Sequence, residues 1–204
     1  MSTTGTATGR PMRADARRNY ETLTARAAEA FAERGADDVS LEEIARRAGV
    51  GIGTLYRHFP NRQSLLEAVF RDQVEALAGL AGDLRSAPDP GAAFSQWLGA
   101  MVAFGSTKRS MLAGLLATEG PGAELYSACK TMMQDSTRTL LERAQRDGAV
   151  RPDVTHADVQ RLTHALVLAS EAVPADPEQA DRMLSLVTGG LLCRHESVPD
   201  GDPA

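Results

Sequence analysis

The stretch that decides the fold is SLEEIARRAGVGIGTLYRHFPNRQSLLEAVF, residues 40–70. Ser40 stands directly before a run of apolar residues at helical spacing, which are Leu41, Ile44, Ala45 and Ala48. Glu43 follows Ser40 by three positions, so we predict a capping box: the serine hydroxyl accepts the Glu43 N–H, and the carboxylate returns to the Ser40 N–H. Gly49 is suited to ending this short helix.

A second short helix is predicted directly after the glycine-containing turn at residues 49–51. It covers Ile52–His58, with Leu55 and Phe59 facing inward. Pro60 and Asn61 end it, and Asn61 can cap a long helix that runs to about Asp83. Two short helices joined in this way are typical of a helix-turn-helix unit, which places its second helix in the DNA major groove.

The flanking sequence is also helical. A first helix is predicted over about 13–34 and ends at Gly35. After a turn at 86–91, further helices are predicted over about 92–105, 108–117, 123–146, 157–173 and 178–193. No alternating strand pattern occurs. The predicted fold is therefore all-α with about nine helices: an N-terminal three-helix helix-turn-helix domain and a larger helical domain.

Composition and charge exclude several classes of protein. The formal net charge of −5 argues against nonspecific coating of nucleic acid or anionic membrane. Two cysteines are too few for a disulfide scaffold, and no apolar run approaches the roughly 18 residues of a membrane span. The first eleven residues lack a signal-peptide pattern, so we expect a soluble cytoplasmic protein. No catalytic, metal-binding or cofactor-binding motif occurs, so we predict no enzyme activity and no cofactor.

Positive charge is concentrated at the N-terminus. Arg10, Arg13, Arg17 and Arg18 face only Asp15 in the first twenty residues. This basic arm opens a chain that is acidic elsewhere, so DNA binding is expected at this end of the protein. The alternative is a mobile solubilising tail.

The stretch 40–70 closely resembles the N-terminal signature of the TetR family of transcriptional regulators. The pattern A-GV--GTLY-HF-N---LL is present, and the preceding AFAERGADDVSL also matches; together the resemblance covers about residues 13–75. It implies a basic arm at 1–12 (which we expect to be disordered), a DNA-binding domain at 13–60, and an effector-binding and dimerisation domain at 61–195. A disordered tail is expected at 196–204.

The resemblance also implies residue roles. Thr54 stands at a family position that contacts bases or phosphate, and Tyr56 and His58 stand at positions that contact phosphate. Arg62 stands at a position where a cation touches the DNA backbone. Ser40 stands at the position of a capping hydroxyl that can also bind phosphate. The residue chemistry adds Arg57 as a guanine reader and Ile52 as an apolar contact to thymine. The full predicted DNA-binding set is Ser40, Gly51, Ile52, Gly53, Thr54, Tyr56, Arg57, His58, Arg62, Arg13 and Arg17.

Methionine and aromatic residues in the second domain are candidates for an effector pocket, because such side chains adapt to apolar ligands. They are Phe70, Val74, Trp97, Met101, Phe104, Met111, Leu115, Tyr126, Cys129, Met132 and Met133, with His164 as a buried polar candidate. The alternative interpretation is that the same residues form part of the ordinary hydrophobic core and line no pocket. The implied effector is a small, mostly apolar molecule.

The last two predicted helices carry apolar stripes with small residues between them. TetR-family members dimerise through the corresponding helices. The resemblance therefore implies a homodimer interface formed by Leu162, Ala165, Leu166, Ala169, Leu184, Val187 and Leu191. An intrachain core is the alternative for each of them. Dimerisation itself is expected because one recognition helix reads too few bases.

The sequence therefore favours a ligand-responsive repressor that binds an inverted-repeat DNA operator as a homodimer and does not enter a membrane. Two alternatives remain. One is a DNA-binding regulator without a small-molecule effector, or an activator. The other is an all-helical enzyme or interaction module that has lost DNA binding.

Overall fold

The computed structural model describes residues 9–115, 121–172 and 177–192. Within these ranges the chain forms eight helices and no strand. They are α1 (Gly9–Arg34), α2 (Leu41–Arg47), α3 (Ile52–His58), α4 (Arg62–Arg85), α5 (Pro90–Leu115), α6 (Pro121–Arg146), α7 (His156–Ala172) and α8 (Pro177–Leu191). The predicted all-α class is confirmed. None of the described helices is long and apolar enough to cross a membrane.

Helix α1 begins four residues before the predicted start at Arg13, so residues 9–12 of the predicted arm are helical. The rest of that arm and the predicted C-terminal tail lie outside the described residues. The bounds of α3 are those predicted, and α4 begins one residue after its cap, Asn61, whose Oδ1 accepts the Ser64 N–H at 2.9 Å. At the start of α5, Asp89 caps the Ala92 N–H at 2.9 Å and Pro90 occupies the first helical position, where its missing N–H costs nothing.

The prediction of two helices over 92–105 and 108–117 is wrong, because α5 is continuous through Gly105. A Cβ at Gly105 would lie only 2.6 Å from Val167 Cγ2 of α7. The glycine therefore marks a place where two helices approach closely, and it does not end a helix. The sequence alone offers no means of distinguishing these two uses of glycine.

The chain divides into two compact units that are interleaved along the sequence. One contains Met1–Leu77 and Thr107–Lys130; the other contains Ala78–Ser106 and Thr131–Ala204. This division differs from the predicted boundary after residue 60, since the first half of α4 and residues 107–130 belong with α1–α3. Helix α4 contributes residues to both units.

In the first unit, α2 packs against both α1 and α3. Phe31, Ile44 and Leu55 are fully buried in this core, and the inward position of Leu55 is the one predicted. The turn between α2 and α3 depends on Gly49, which has a φ of +68°. Its N–H donates to Arg46 O at 3.2 Å and the Val50 N–H donates to Ala45 O at 3.0 Å, the pair of bonds that defines a Schellman C-cap.

In the second unit, the buried Trp97 joins α5 to α6 by donating its indole N–H to Thr137 Oγ1 at 2.9 Å. Arg143 of α6 donates to Leu84 O at 3.1 Å and also to Ala87 O, so it satisfies free carbonyls at the end of α4. Helix α7 packs on α8, and its N-terminus carries a capping box that we did not predict. There Thr155 and Asp158 exchange side-chain-to-backbone bonds of 3.0 and 3.2 Å.

Candidate nucleic-acid interface

The N-terminus of α2 is held by Ser40, whose Oγ accepts the Glu43 N–H at 3.1 Å. The returning half of the predicted capping box is replaced by ion pairs. The Glu43 carboxylate accepts from Arg34 of α1 and from Arg47 one turn later, and Arg47 also reaches Glu33 at 2.7 Å. The hydrogen bond from Arg34 keeps the pKa of Glu43 below its ordinary value. These charges fix α2 against the end of α1.

Helix α3 presents an exposed face next to a buried one. Leu55 is fully buried and Phe59 nearly so, which anchors the helix. Beside this buried face, Ile52 and Tyr56 are 37% and 45% exposed, large values for an apolar and an aromatic side chain. Arg57 is also exposed, and Thr54 is half-buried. A helix anchored on one side and exposed on the other is the arrangement that groove binding requires.

The two glycines that flank Ile52 are exposed as well. A Cβ at Gly51 or Gly53 would meet nothing within 4 Å in the protein itself. Packing within the chain therefore does not require glycine at either position. The absence of side chains leaves the α3 N-terminus, with its free N–H groups, open to close approach by an anion such as a phosphate.

His58 is less exposed than the rest of this face. It is half-buried and packs edge-on to Tyr20 of α1, with ring centroids 6.3 Å apart. Tyr20 also lies 5.2 Å from the Phe59 ring, and burial, followed by the charge of Asp72, raises its pKa. Tyr20 was not among the predicted site residues, yet its ring contacts both His58 of α3 and Phe59 directly after it.

Arg62 does not extend outward as predicted. It is half-buried; Nη1 donates to the Val39 carbonyl at 2.7 Å, and Cζ lies over the Phe31 ring, 5.9 Å from its centroid. Nη2 is buried without a hydrogen-bond partner among the described residues. This geometry does not favour the predicted contact with the DNA backbone, because the Arg62 guanidinium is bonded within the protein.

The arginines of the N-terminal arm form ion pairs with neighbouring residues on α1. Arg17 Nε donates to Glu21 at 2.7 Å and Arg18 pairs with Asp15. Both pairs are largely exposed, and exposed ion pairs add little stability, so a phosphate can replace the carboxylate at little cost. The side chain of Arg13 lies outside the described residues.

Comparison with known proteins assigns the chain to a family. A model of bacterial regulatory proteins of the tetR family matches residues 23–69. A model of the SbtR-like transcriptional regulator C-terminal domain matches residues 89–193, about half of the chain. The chain belongs to the TetR family of transcriptional regulators.

Solved structures agree over most of the chain. The TetR transcriptional regulator SCO0520 of Streptomyces coelicolor is 32% identical, with 85% of this chain and 98% of that chain covered and a TM-score of 0.71. A TetR transcription regulatory protein of Mycobacterium vanbaalenii is also 32% identical, with coverage of 90% and 100% and a TM-score of 0.69.

Among curated proteins, the HTH-type transcriptional regulator SAUSA300_2515 of Staphylococcus aureus is 36% identical over 64 residues. That match covers 31% of this chain and 35% of the relative, so the chain spans about a third of the length of the curated relatives it matches.

The predicted pocket residues of this TetR-family chain differ in burial. Buried members are Phe70, Met111, Leu115 and Cys129 in the first unit and Trp97, Met101 and Phe104 in the second. Half-buried members are Val74 and Tyr126 in the first unit and Met132 and Met133 in the second. The expectation that His164 is buried is wrong, because its side chain is exposed on α7.

The predicted dimer residues also fall into two groups. Leu166 is buried with Val102 and Val167, and Leu184 and Val187 pack against them, so these three predicted residues belong to an intrachain core. Leu191 is buried as well. Ala165 is exposed, and Leu162 and Ala169 are half-buried. The sequence analysis missed the two large apolar residues that are exposed on these helices, Leu168 at 41% and Leu186 at 77%.

Proposed function

We propose that this TetR-family regulator represses transcription by binding an inverted-repeat operator as a homodimer, and that a small, mostly apolar effector releases it. The observation that carries the proposal is the two-sided character of α3. Leu55 and Phe59 hold the helix rigidly, while Tyr56 and Arg57 are exposed beside its open N-terminus. Two such helices in a twofold dimer would reach half-sites about 34–36 Å apart.

The DNA-binding part of the proposal is tested on the DNA upstream of the protein's own gene, by fluorescence anisotropy at several salt concentrations. Arg57→Ala removes the one side chain on α3 able to form a bidentate pair with guanine. We expect it to reduce discrimination between the operator and a scrambled sequence by about 1–3 kcal/mol. Tyr56→Ala should weaken binding to the operator.

Arg138→Ala is the matched control for this experiment. Arg138 is an exposed arginine on α6, in the second unit, so its replacement changes the net charge by the same amount. Operator binding that survives both α3 substitutions, or that falls equally in the control, would contradict the proposed recognition by α3.

For the homodimer, the exposed faces of α7 and α8 support a revised interface. Leu168 and Leu186 are exposed together with the small residues Ala165, Gly189 and Gly190, which would permit close approach of helices from a second copy. Burying a leucine side chain of this kind stabilises association by about 1.5–3 kcal/mol per copy.

Leu186→Glu would place two carboxylates in this interface, one from each copy, so we expect the variant to be monomeric by sedimentation velocity at concentrations at which the parent is dimeric. Gln96→Glu, which adds the same charge at an exposed position of α5, should remain dimeric. A parent that is monomeric even when concentrated, or a dimeric Leu186→Glu variant, would refute this interface.

For the effector, support comes from the side chains of the second unit. Two thioethers lie beside buried hydroxyls: Met101 Sδ is 3.2 Å from Thr137 Oγ1 and Met132 Sδ is 3.8 Å from Ser136 Oγ. Met133 is half-buried on the same helix as Met132. Flexible thioethers beside few polar groups favour an apolar ligand. Apolar metabolites that raise the melting temperature should also release operator DNA. If stabilising ligands leave the operator complex intact, the protein acts without such an effector. A reporter gene placed behind the operator shows whether the protein represses or activates transcription.

A further inference from the structure

Arg62 connects three parts of the first unit. It lies in the first turn of α4 and donates to the carbonyl of Val39, which immediately precedes the α2 cap, Ser40. Its guanidinium also lies over the ring of Phe31, near the end of α1. Val39 and Phe31 are buried, so both partners are fixed by the core.

This geometry leaves little of the guanidinium for DNA. A bidentate arginine contact to a phosphate needs two N–H groups that point the same way into solvent. Here Nη1 is bonded to a buried backbone carbonyl and Nη2 is buried. Turning the side chain outward would leave the Val39 carbonyl without this charged donor, and a hydrogen bond from a charged group is stronger than a neutral one.

We infer that Arg62 is a positioning residue for DNA recognition: it holds the start of α2, and through α2 the recognition helix α3, in register with α4, and it makes no phosphate contact. The inference rests on the proposed function only for its DNA-binding readout. A displacement of the first turn of α4 would therefore reach the residue next to the α2 cap through the Arg62 side chain.

The salt dependence of operator binding separates the two roles. A lost phosphate contact reduces the slope of log K against log salt by about 0.9 per protomer, whereas a lost positioning contact lowers affinity by the same factor at every salt concentration. We expect Arg62→Met to bind about tenfold more weakly, the equivalent of one hydrogen bond, with the slope of the parent. Arg17→Met, which removes an exposed arginine whose carboxylate partner a phosphate can replace, should reduce the slope.

The matched control is Arg143→Met. Arg143 likewise donates to backbone carbonyls, those of Leu84 and Ala87 at the other end of α4. Its loss should lower the melting temperature as Arg62→Met does, yet leave the operator affinity of the folded protein unchanged. An equal loss of operator affinity in the two variants would show that Arg62 acts only through general stability, and would overturn the inference.

A second variant and a DNA-free measurement keep the test decisive. Arg62→Lys retains a cation for phosphate but not the planar guanidinium, so we expect weaker binding with an unchanged slope; full affinity would overturn the inference.

Without DNA, the Glu43 amide, which donates to Ser40 Oγ, should exchange its hydrogen about tenfold faster in Arg62→Met than in the parent. An unchanged exchange rate would also overturn the inference, and this result stands even if the parent binds no operator.

Discussion

Replacing Gly105 by alanine should destabilise the protein, although alanine is the better helix former. In an open helical position this change stabilises by about 1 kcal/mol. At Gly105 the new Cβ would lie 2.6 Å from Val167 Cγ2 and 3.4 Å from Cγ1. Val167 is buried and β-branched, so it has one favoured rotamer in a helix and little room to move.

The magnitude follows from two opposing terms. Overpacking of a filled core costs about 1–3 kcal/mol, which outweighs the gain in helix propensity and leaves a net loss of about 1 kcal/mol. Val167→Ala removes both Cγ atoms and destabilises by about 2 kcal/mol on its own. In that background the nearest remaining contact is Val167 Cβ at 3.6 Å, which is ordinary packing distance. Gly105→Ala should then stabilise by about 1 kcal/mol.

Urea unfolding of the parent, the two single variants and the double variant, followed by Trp97 fluorescence, measures this change of sign as a coupling of about 2 kcal/mol. Gly82→Ala is the control, since a Cβ there meets nothing within 4 Å and should stabilise the parent. Stabilisation by Gly105→Ala in the parent would refute the close approach of α5 and α7. Destabilisation in both backgrounds would instead indicate that Gly105 ends a helix.

Three further predictions follow from single contacts. Thr137→Val should destabilise the protein by about 1–3 kcal/mol, because the indole N–H of Trp97 loses the Thr137 hydroxyl as its acceptor while remaining buried. Calorimetry together with Trp97 fluorescence would detect the change. Ser40→Ala should cost about 1 kcal/mol through loss of the α2 cap, whereas Ser40→Gly should cost only a few tenths in the same unfolding assay. Arg34 lowers the pKa of Glu43, so their interaction stabilises the fold fully above the ordinary pKa of 4.5 and is lost as the pH falls through the lower folded-state pKa. The parent and Glu43→Gln should therefore have similar free energies of unfolding in acid. A difference in stability that persists at low pH would contradict this reasoning.

The features that sequence analysis predicts well are those with local signals. Ser40 before a helical apolar pattern, Gly49 after it and the inward pair Leu55 and Phe59 each act within a few residues of themselves. The bond from the Glu43 N–H to Ser40, the left-handed Gly49 and the burial of Leu55 and Phe59 appear in the structure as predicted, whereas the return bond from the Glu43 carboxylate does not. The helix bounds at α3 follow from the same local chemistry, because a short helix leaves little freedom once both ends are fixed.

The features that the sequence does not reveal depend on contacts between distant residues. Gly105 carries the signal of a helix end, yet its use is set by Val167 more than sixty positions away. Arg62 matches a DNA-contacting position, but the buried carbonyl of Val39 draws it inward. On α7, Leu166 is buried because it packs with Val102 of α5 and with residues of α8, whereas Leu168, two positions later, is exposed.

The interleaving of the two compact units limits how this regulator can be recombined with its relatives. A chimera that joins the first 77 residues to the remainder of another regulator leaves behind residues 107–130, which are part of the same compact unit. Gly122 shows how tight that association is, because a Cβ there would lie 2.7 Å from Leu115 O and 3.3 Å from Gln63 Nε2 of α4. A hybrid that transfers the first unit must therefore include residues 107–130 as well as residues 1–77. Such a hybrid needs three crossovers between the two parent sequences instead of one.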